Sequence, residues 1–434
     1  MSTSSLCASG FEISANSLLE ISKSLIADEL KTLRCDPQVV VQAADWDEHT
    51  WIGEPGELSA ATHTAQAGEA LSTSMRADSL ERLALAMRVA DVFHLRDSGL
   101  EDYLLRFKTL GEWVDLIWQV RQQGSRRLTF FTSGSSGQPK ACAHAWPNLV
   151  AEVEYCAHLF AQTLGQPIQR ILALVPCHHI YGCLFSVILA DWLQKPVLRA
   201  QAALSEVHAR RLEAGDLIVA FPFLWKQLAR QAQPFPGGVL GLTSTGPCDA
   251  QVIYQLRQQG LAAMVELYGA SETGGIGVRT DPRQPFGLLP RWQAVDGDTL
   301  MESASGEQYP LNDTLSWQDA RHFTLGGRLD QAVAVGGINV FPQRIAEKLA
   351  ALPGVREARV RLMHPQEGDR LKAFILPEPA YADDPEQLIQ SLHEWCYEHL
   401  SAPERPRVFT LGSHLPTNAL GKDSDWRLKE DTTS

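Results

Sequence analysis

Between Arg127 and Leu267 one pattern repeats: a short, unbroken apolar run, then a longer stretch with helical spacing. The apolar runs fall at 128–131, 171–175, 217–221 and 264–267. Helical spacing covers about 148–164, 204–213, 225–231 and 250–259. Apolar runs without polar alternation fit strands buried on both faces. Strands that alternate with helices fold as an α/β sheet with helices on either side. The expected fold class is therefore α/β.

The flanks differ. Leu18, Leu19, Ile21, Leu25, Ile26 and Leu30 recur at helical spacing within 13–33. Residues 44–74 are rich in Gly, Ala, Ser, Thr and acidic residues and read as a long loop. Helical spacing resumes after Asp78, an N-cap residue type, and again over 110–119. Gly, Asp and Ser break the pattern over 288–317. A smaller α+β unit then follows: strand 332–335, helix 342–351, strands 356–362 and 372–376, helix 385–399. The expected organisation is a flexible tail over 1–12, a helical domain over 13–122, a core lobe over 125–327 and a small lobe over 331–434.

A length of 434 residues fits two or three domains. The net charge of −13 argues against a broad nucleic-acid-binding face and against docking on anionic membranes. Eight scattered cysteines, with no framework spacing, read as free thiols in a reducing compartment. The first residues lack a basic patch followed by an apolar block, so no signal peptide is expected. The apolar stretch 171–190 is interrupted by Pro176, His178 and His179, whereas a span needs about 20 apolar residues. It reads as buried strand and loop, and the chain as a cytoplasmic enzyme without a membrane span.

Chemistry concentrates first in Thr132-Ser133-Gly134-Ser135-Ser136-Gly137-Gln138-Pro139-Lys140. Gly134 and Gly137 let the backbone turn its N–H groups on an anion; the serines donate hydroxyls, and Lys140 adds a compact positive charge. The spacing is not that of P-loop nucleotidases. A Ser/Gly linker between lobes is the competing reading.

This loop resembles the signature of the adenylate-forming superfamily, which includes acyl- and aryl-CoA ligases, adenylation domains and luciferases. Further segments resemble the family's later motifs, in the same order, over about 127–428. Pro176-Cys177-His178-His179-Ile180-Tyr181-Gly182 is similar to the stretch bordering the carboxylate pocket, which nominates His179. Zinc on Cys177, His178, His179 and Cys183 is disfavoured, because adjacent residues of an extended strand point to opposite faces. The stretch lacks the Asp that amino-acid-activating members use, so the resemblance implies an aryl or acyl acid. Thr243 to Pro247, with Gly246, resembles the segment packing by the adenine. Tyr268-Gly269-Ala270-Ser271-Glu272 matches the motif whose acid holds Mg²⁺ on ATP, with Glu272 as the metal ligand and Ser271 near the α-phosphate. Asp313, in a much altered motif, stands for the residue holding the ribose hydroxyls. Gly327-Arg328-Leu329-Asp330 resembles the hinge motif, with Arg328 by the ribose and Asp330 at the pivot. Gly336-Gly337-Ile338-Asn339-Val340 resembles the loop lining the thiol's approach, although Arg344 and Ala346 stand where acids are usual. Pro416 to Lys422 resembles the C-terminal motif, with Lys422 as the adenylation lysine.

Upstream, Ala77-Asp78-Ser79-Leu80 with the helix that follows resembles the second helix of an acyl carrier protein. Ser79 would then be a phosphopantetheine attachment site, a serine at a positive helix terminus. Arg76 replaces the usual glycine there, and an N-cap accounts equally for Asp78 and Ser79.

Together the resemblance implies ATP- and Mg-dependent activation of a small carboxylic acid to acyl-AMP, then transfer to a phosphopantetheine thiol. The acceptor is expected to be an acyl carrier protein, on Ser79 or separate, as in small ligases accompanying aryl-polyene and related polyketide pathways. A free-standing CoA ligase is the alternative, and a non-catalytic carrier-binding scaffold is the rival from a different class.

Overall fold

A computed structural model describes residues 11–53, 74–124, 126–132, 140–231, 233–329, 332–364, 366–381, 385–416 and 425–428. Three long helices come first: α1 (Ala15–Arg34), α2 (Ser79–Phe93) and α3 (Leu110–Gln122). Each starts on a side-chain cap. The Asp78 carboxylate accepts the N–H groups of Leu80 and Glu81 at 2.9 and 2.8 Å, and the Glu81 carboxylate accepts the Asp78 N–H at 3.1 Å. Thr109 and Glu112 form the same reciprocal cap for α3. Such caps contribute about 0.5–2 kcal/mol each by pairing N–H groups that the helix leaves open.

Region 13–122 is helical, as expected, but its described residues form no separate core. Leu18, Leu25, Val89, Phe93, Trp113 and Ile117 belong to one buried cluster with Leu149, Phe160 and Phe185 of the large lobe. Helical spacing identifies the buried face, not the surface that it is buried against. Phe11 and Glu12, expected in the tail, also pack. Phe11 stacks on Trp146 with centroids 6.1 Å apart, its carbonyl accepts the Trp146 indole N–H at 2.8 Å, and Glu12 lies 3.6 Å from Arg121.

Strand β1 (Arg127–Thr132) pairs with an unexpected strand, β2 (Lys140–Ala145), in an antiparallel hairpin with Thr132 opposite Lys140. Helix α4 (Trp146–Leu164) follows, with proline in its first turn. After β3 (Arg170–Ala173) the chain is helical over Ile180–Cys183, π-helical over Leu184–Ile188 and α-helical again over Leu189–Leu193, where strand and loop were expected. That run is nearly all buried, so no polar face marks its period.

The alternation then proceeds through β4 (Val197–Arg199), α5 (Ala200–His208), β5 (Asp216–Ala220), α6 (Pro222–Ala229), β6 (Leu240–Thr243), α7 (Ala250–Gln258) and β7 (Ala263–Ala270). Beyond lie β8 (Gly274–Arg279), β9 (Phe286–Leu288), β10 (Trp292–Ala294), β11 (Thr299–Glu302), β12 (Gln308–Pro310), β13 (Asp313–Trp317) and β14 (His322–Arg328). The expected break over 288–317 is thus built of strands. Several are only three or four residues long, with turn residues between them, and their composition reads as loop.

The main sheet has the order β13-β14-β9-β8-β7-β6-β5-β3-β4, parallel from β4 to β7 and antiparallel from β7 to β13. A second buried cluster, including Val207, Trp225, Leu228, Ile253 and Leu256, brings in residues of α5, α6 and α7. Strands β10, β11 and β12 form a separate three-stranded sheet.

The small lobe opens with a hairpin of β15 (Val333–Val335) and β16 (Ile338–Val340). Its two turn residues, Gly336 and Gly337, have φ of +60° and +84°, the left-handed pair that such a turn needs. Helix α8 (Pro342–Ala350), β17 (Val355–Leu362), β18 (Leu371–Pro377), α9 (Pro385–His399) and β19 (Pro406–Leu411) follow. The three strands form one sheet, and the lobe has its own core around Leu349, Ile375 and Leu392. Lys372 is fully buried there; its Nζ lies 2.8 Å from Glu367 and 3.2 Å from Asp425, and also meets the Trp426 carbonyl. Among the described residues no helix is long and apolar enough to cross a membrane.

Candidate active site

Because β3, β5, β6 and β7 run parallel, the segments that follow them emerge at one edge of the sheet. Those segments hold 176–182, 221–225, 243–247 and 268–275, which include three of the motifs expected in the large lobe. Ligands collect at such carboxyl ends, above all where a sheet changes direction. Here the change falls at β7, which is parallel to β6 and antiparallel to β8.

The turn joining β7 to β8 carries Ser271 and Glu272. A bulge between Tyr268 and Gly269 brings the backbone so close that a side chain on Gly269 would overlap the Gly274 carbonyl. The Thr273 hydroxyl accepts the Ala270 N–H at 3.2 Å and donates to the Gly274 carbonyl at 3.0 Å. His144 Nε2 donates to the Ser271 carbonyl at 2.6 Å. Glu152, on α4, accepts the Gly275 N–H at 2.9 and 3.0 Å, and the Trp292 indole donates to the Gly275 carbonyl at 2.7 Å. Burial holds the His144 imidazole below its ordinary range, and because a carbonyl only accepts, Nε2 is the donor in this bond. Burial pushes the Glu152 carboxyl up, against the pull of Arg291 and of the Gly275 N–H.

Above this turn Glu272 Oε1 lies 3.1 Å from Lys140 Nζ, with side chains 31% and 59% exposed. A pair so exposed contributes at most about 1 kcal/mol, so it is not what holds the turn. It presents a hard carboxylate oxygen and an ammonium side by side, a donor set suited to Mg²⁺ and to phosphate respectively.

A second group forms on the antiparallel side. The β13–β14 register sets Asp313 opposite Arg328, with Oδ1 3.6 Å from Nη1. The Tyr268 hydroxyl donates to Asp313 Oδ2 at 2.9 Å. Burial and the Asp313 carboxylate push the Tyr268 phenol well above its usual range, so it remains a donor. Three residues that the sequence nominated separately thus share one site.

Among the described residues, His179 has no hydrogen bond or ion pair with either group. It is exposed and precedes the 180–193 helical run, its ring 4.3 Å from that of His178, whose Nδ1 lies 2.7 Å from the Ser24 hydroxyl of α1. Gly182 is required here, since a side chain would overlap the Pro176 carbonyl. Thr245 adopts φ +73°, costly for a β-branched residue. A Cβ on Gly246 would stand 3.3 Å from Ala334, and one on Gly337 2.9 Å from the Thr245 hydroxyl, so the small-lobe hairpin touches this segment.

Ser79 is exposed as the first residue of α2, where Asp78 provides the cap. Arg76, at the expected glycine position, takes φ +49°. The backbone of Thr132 pairs with Lys140, whereas Ser133, Gly134, Ser135, Ser136, Gly137, Asp330 and Lys422 lie outside the described residues. Sequence reasoning missed His144 and Glu152. For His144 the one signal is even spacing, since Lys140, Cys142 and His144 share a face of β2; Glu152, on α4, has no such signal.

Residues 119–294 match the family model of the AMP-binding enzymes, and 344–422 match that of the AMP-binding enzyme C-terminal domain. A 4-coumarate–CoA ligase from Halorhodospira halophila is 36% identical over 94% of this chain and 99% of its own length. A protein of the same name from Cereibacter sphaeroides is 39% identical over 80% of this chain and 83% of its own. A solved o-succinylbenzoate CoA synthetase from Bacillus subtilis, 16% identical, shares the fold with a TM-score of 0.55 over 96% of this chain and 93% of that one. With both domain matches in sequence order and relatives aligned along nearly the whole chain, the protein belongs to the AMP-binding enzyme family, as an AMP-forming acid–thiol ligase.

Proposed function

We propose that this ligase activates an aryl carboxylate of the hydroxycinnamate or hydroxybenzoate kind and passes it to the thiol of coenzyme A. The grouping beyond the strand ends carries the reading: Lys140 beside Glu272, and Tyr268, Asp313 and Arg328 together. In the first half-reaction a carboxylate oxygen of the acid bonds to the α-phosphorus of ATP, and pyrophosphate leaves. In the second, the thiol sulfur bonds to the acyl carbon, AMP leaves, and the thiol proton passes to solvent.

Lys140 and the loop over 132–139 take the charge of the departing phosphates, a matter of position and preorganised charge. Magnesium held by Glu272 supplies further charge neutralisation at the phosphates when bound. Asp313 accepts the ribose hydroxyls, while Arg328 and Tyr268 keep its carboxylate in place. Lys422 bridges the carboxylate and the α-phosphate, Asp330 is the pivot, and the hairpin around Gly336 and Gly337 lines the thiol's path. The contact of that hairpin with Thr245 and Gly246 supports this last role.

The 176–182 segment carries no acid to hold a substrate ammonium, which supports a neutral aryl acid with His179 at its border. The names of the relatives support 4-coumarate or a close analogue. The shared core of 13–122 supports coenzyme A as the acceptor over a carrier built into this chain. A carrier thiol is the second reading, favoured by the exposed Ser79 at the start of α2. Seven described free cysteines, six of them buried, fit a reducing, cytoplasmic location.

Pyrophosphate exchange with hydroxycinnamates, benzoates and fatty acids tests the reading, followed by thioester formation with coenzyme A or a loaded carrier. Exchange with a hydroxycinnamate and a CoA thioester are the expected results. No exchange with any aryl acid would overturn the substrate class. A mass increase on Ser79 after treatment with a phosphopantetheinyl transferase and CoA would replace coenzyme A with the carrier.

A further inference from the structure

The turn that carries Ser271 and Glu272 is fastened from beneath. Side chains alternate along a strand, so His144 leaves the same face of β2 as Lys140. Consecutive turn residues meet these two side chains: the Ser271 carbonyl accepts from His144 at 2.6 Å, and the Glu272 carboxylate lies 3.1 Å from Lys140. At the far end both Glu152 oxygens accept the Gly275 N–H. A Cβ on Gly275 would fall 2.5 Å from Glu152, and one on Gly274 2.9 Å from Glu152 and 3.1 Å from Arg291. Both glycines let the backbone lie against the carboxylate. His144 and Glu152 are 6% and 3% exposed, whereas the Lys140–Glu272 pair above them is open to solvent. An exposed ion pair does not fix a loop; buried hydrogen bonds do.

We propose that His144 and Glu152 are positioning residues for Glu272, fixing the 271–275 turn so that its carboxylate stands beside Lys140. This rests on the reading of Glu272 as the carboxylate that takes the magnesium nucleotide. Neither residue touches the substrate; both act through the backbone of the turn.

His144→Phe keeps a ring and removes the donor, and His144→Gln restores an N–H. In the full chain the readouts are pyrophosphate exchange against Mg²⁺ concentration, thioester formation from preformed aryl-adenylate, and amide exchange over 271–276 without nucleotide. For His144→Phe we expect exchange slowed about 20-fold, a Mg²⁺ requirement raised about fivefold, and amide exchange over the turn quickened about 10-fold. Thioester formation from the adenylate stays within about twofold, and His144→Gln recovers most of the loss. Added to Glu272→Gln, His144→Phe costs less than about threefold more, because both act through one carboxylate. Multiplying effects, or unchanged Mg²⁺ dependence and turn exchange in His144→Phe, would overturn the proposal. If Glu272→Gln itself leaves exchange intact, the reading of Glu272 falls and the positioning role with it. If only His144→Phe is inert, the positioning role alone falls. Should His144→Phe not fold, Glu152→Gln carries the test, with the same selective pattern at about threefold and the same overturning result.

Discussion

Glu152 and Glu367 each hold a segment next to a group nominated for catalysis, and they do so in opposite ways. Glu152 backs the 271–275 turn; burial pushes its carboxyl up, against the pull of Arg291 and the Gly275 N–H. Glu367 meets Lys372 at 2.8 Å and accepts the N–H groups of Leu428 and His364 at 2.7 and 2.9 Å. Burial opposes its ionisation, but Lys372 and those N–H groups outweigh it and hold the carboxyl down, at about 2. The large lobe therefore fastens its motif through a carboxyl that resists charge. The small lobe fastens 425–428, just after Lys422, through an ion pair around a fully buried lysine.

The largest expected effect tests the small-lobe side. Lys372→Met strands Glu367 without its cation and should destabilise the small lobe by about 3–5 kcal/mol in denaturant unfolding. A loss below about 1 kcal/mol would show that the pair is not what fastens the segment. On the large-lobe side, Glu152→Ala leaves the Gly275 N–H buried without an acceptor and should cost about 1–3 kcal/mol. Glu152→Gln keeps an acceptor oxygen and should cost less than about 1 kcal/mol. Equal losses would mean that Glu152 works as a charged partner of Arg291, and the contrast would collapse.

Acid sharpens the comparison. A carboxyl lowered in the folded state adds stability above its unfolded value and loses it as pH falls through the folded one; a raised carboxyl does the reverse. The Glu367 contribution should therefore be lost between about 4.5 and about 2, while that of Glu152 fades as pH rises above 4.5. Amide exchange measured from pH 6 down to about 3 should show 425–428 losing protection before 271–276 does. The smallest effect is expected for Lys226→Ala. Its partner Asp369 lies 2.8 Å away across the lobes, but both side chains are partly exposed. Unfolding should shift by about 0–1 kcal/mol.

Part of the candidate site was legible because parallel strands deliver their following segments to one edge, where motifs distant in sequence come together. Asp313 was nominated from a weakly matching stretch, and the register opposite Arg328 gives that choice a geometric basis. Other parts left little trace. Strand β2 reads Lys-Ala-Cys-Ala-His-Ala, without the bulky alternation that marks a strand, so the even spacing of Lys140 and His144 did not stand out. Glu152 is one of two acidic letters in α4, two positions from Glu154, and acidic letters on helices usually face water. The carrier resemblance rested on Asp78-Ser79-Leu80 and the helix that follows, a pattern that also fits a capped helix closing the core of a larger lobe.

The shared face of Lys140 and His144 has a consequence for how this chain can change length. Substitution along β2 alters one contact at a time. Inserting or deleting a single residue between 140 and 144 turns one of the two to the opposite face, and no side-chain replacement returns it. The hairpin thus acts as a counted spacer: its letters can vary, but their number cannot. Chimeric relatives should accordingly be joined outside 127–145, with the hairpin inherited whole.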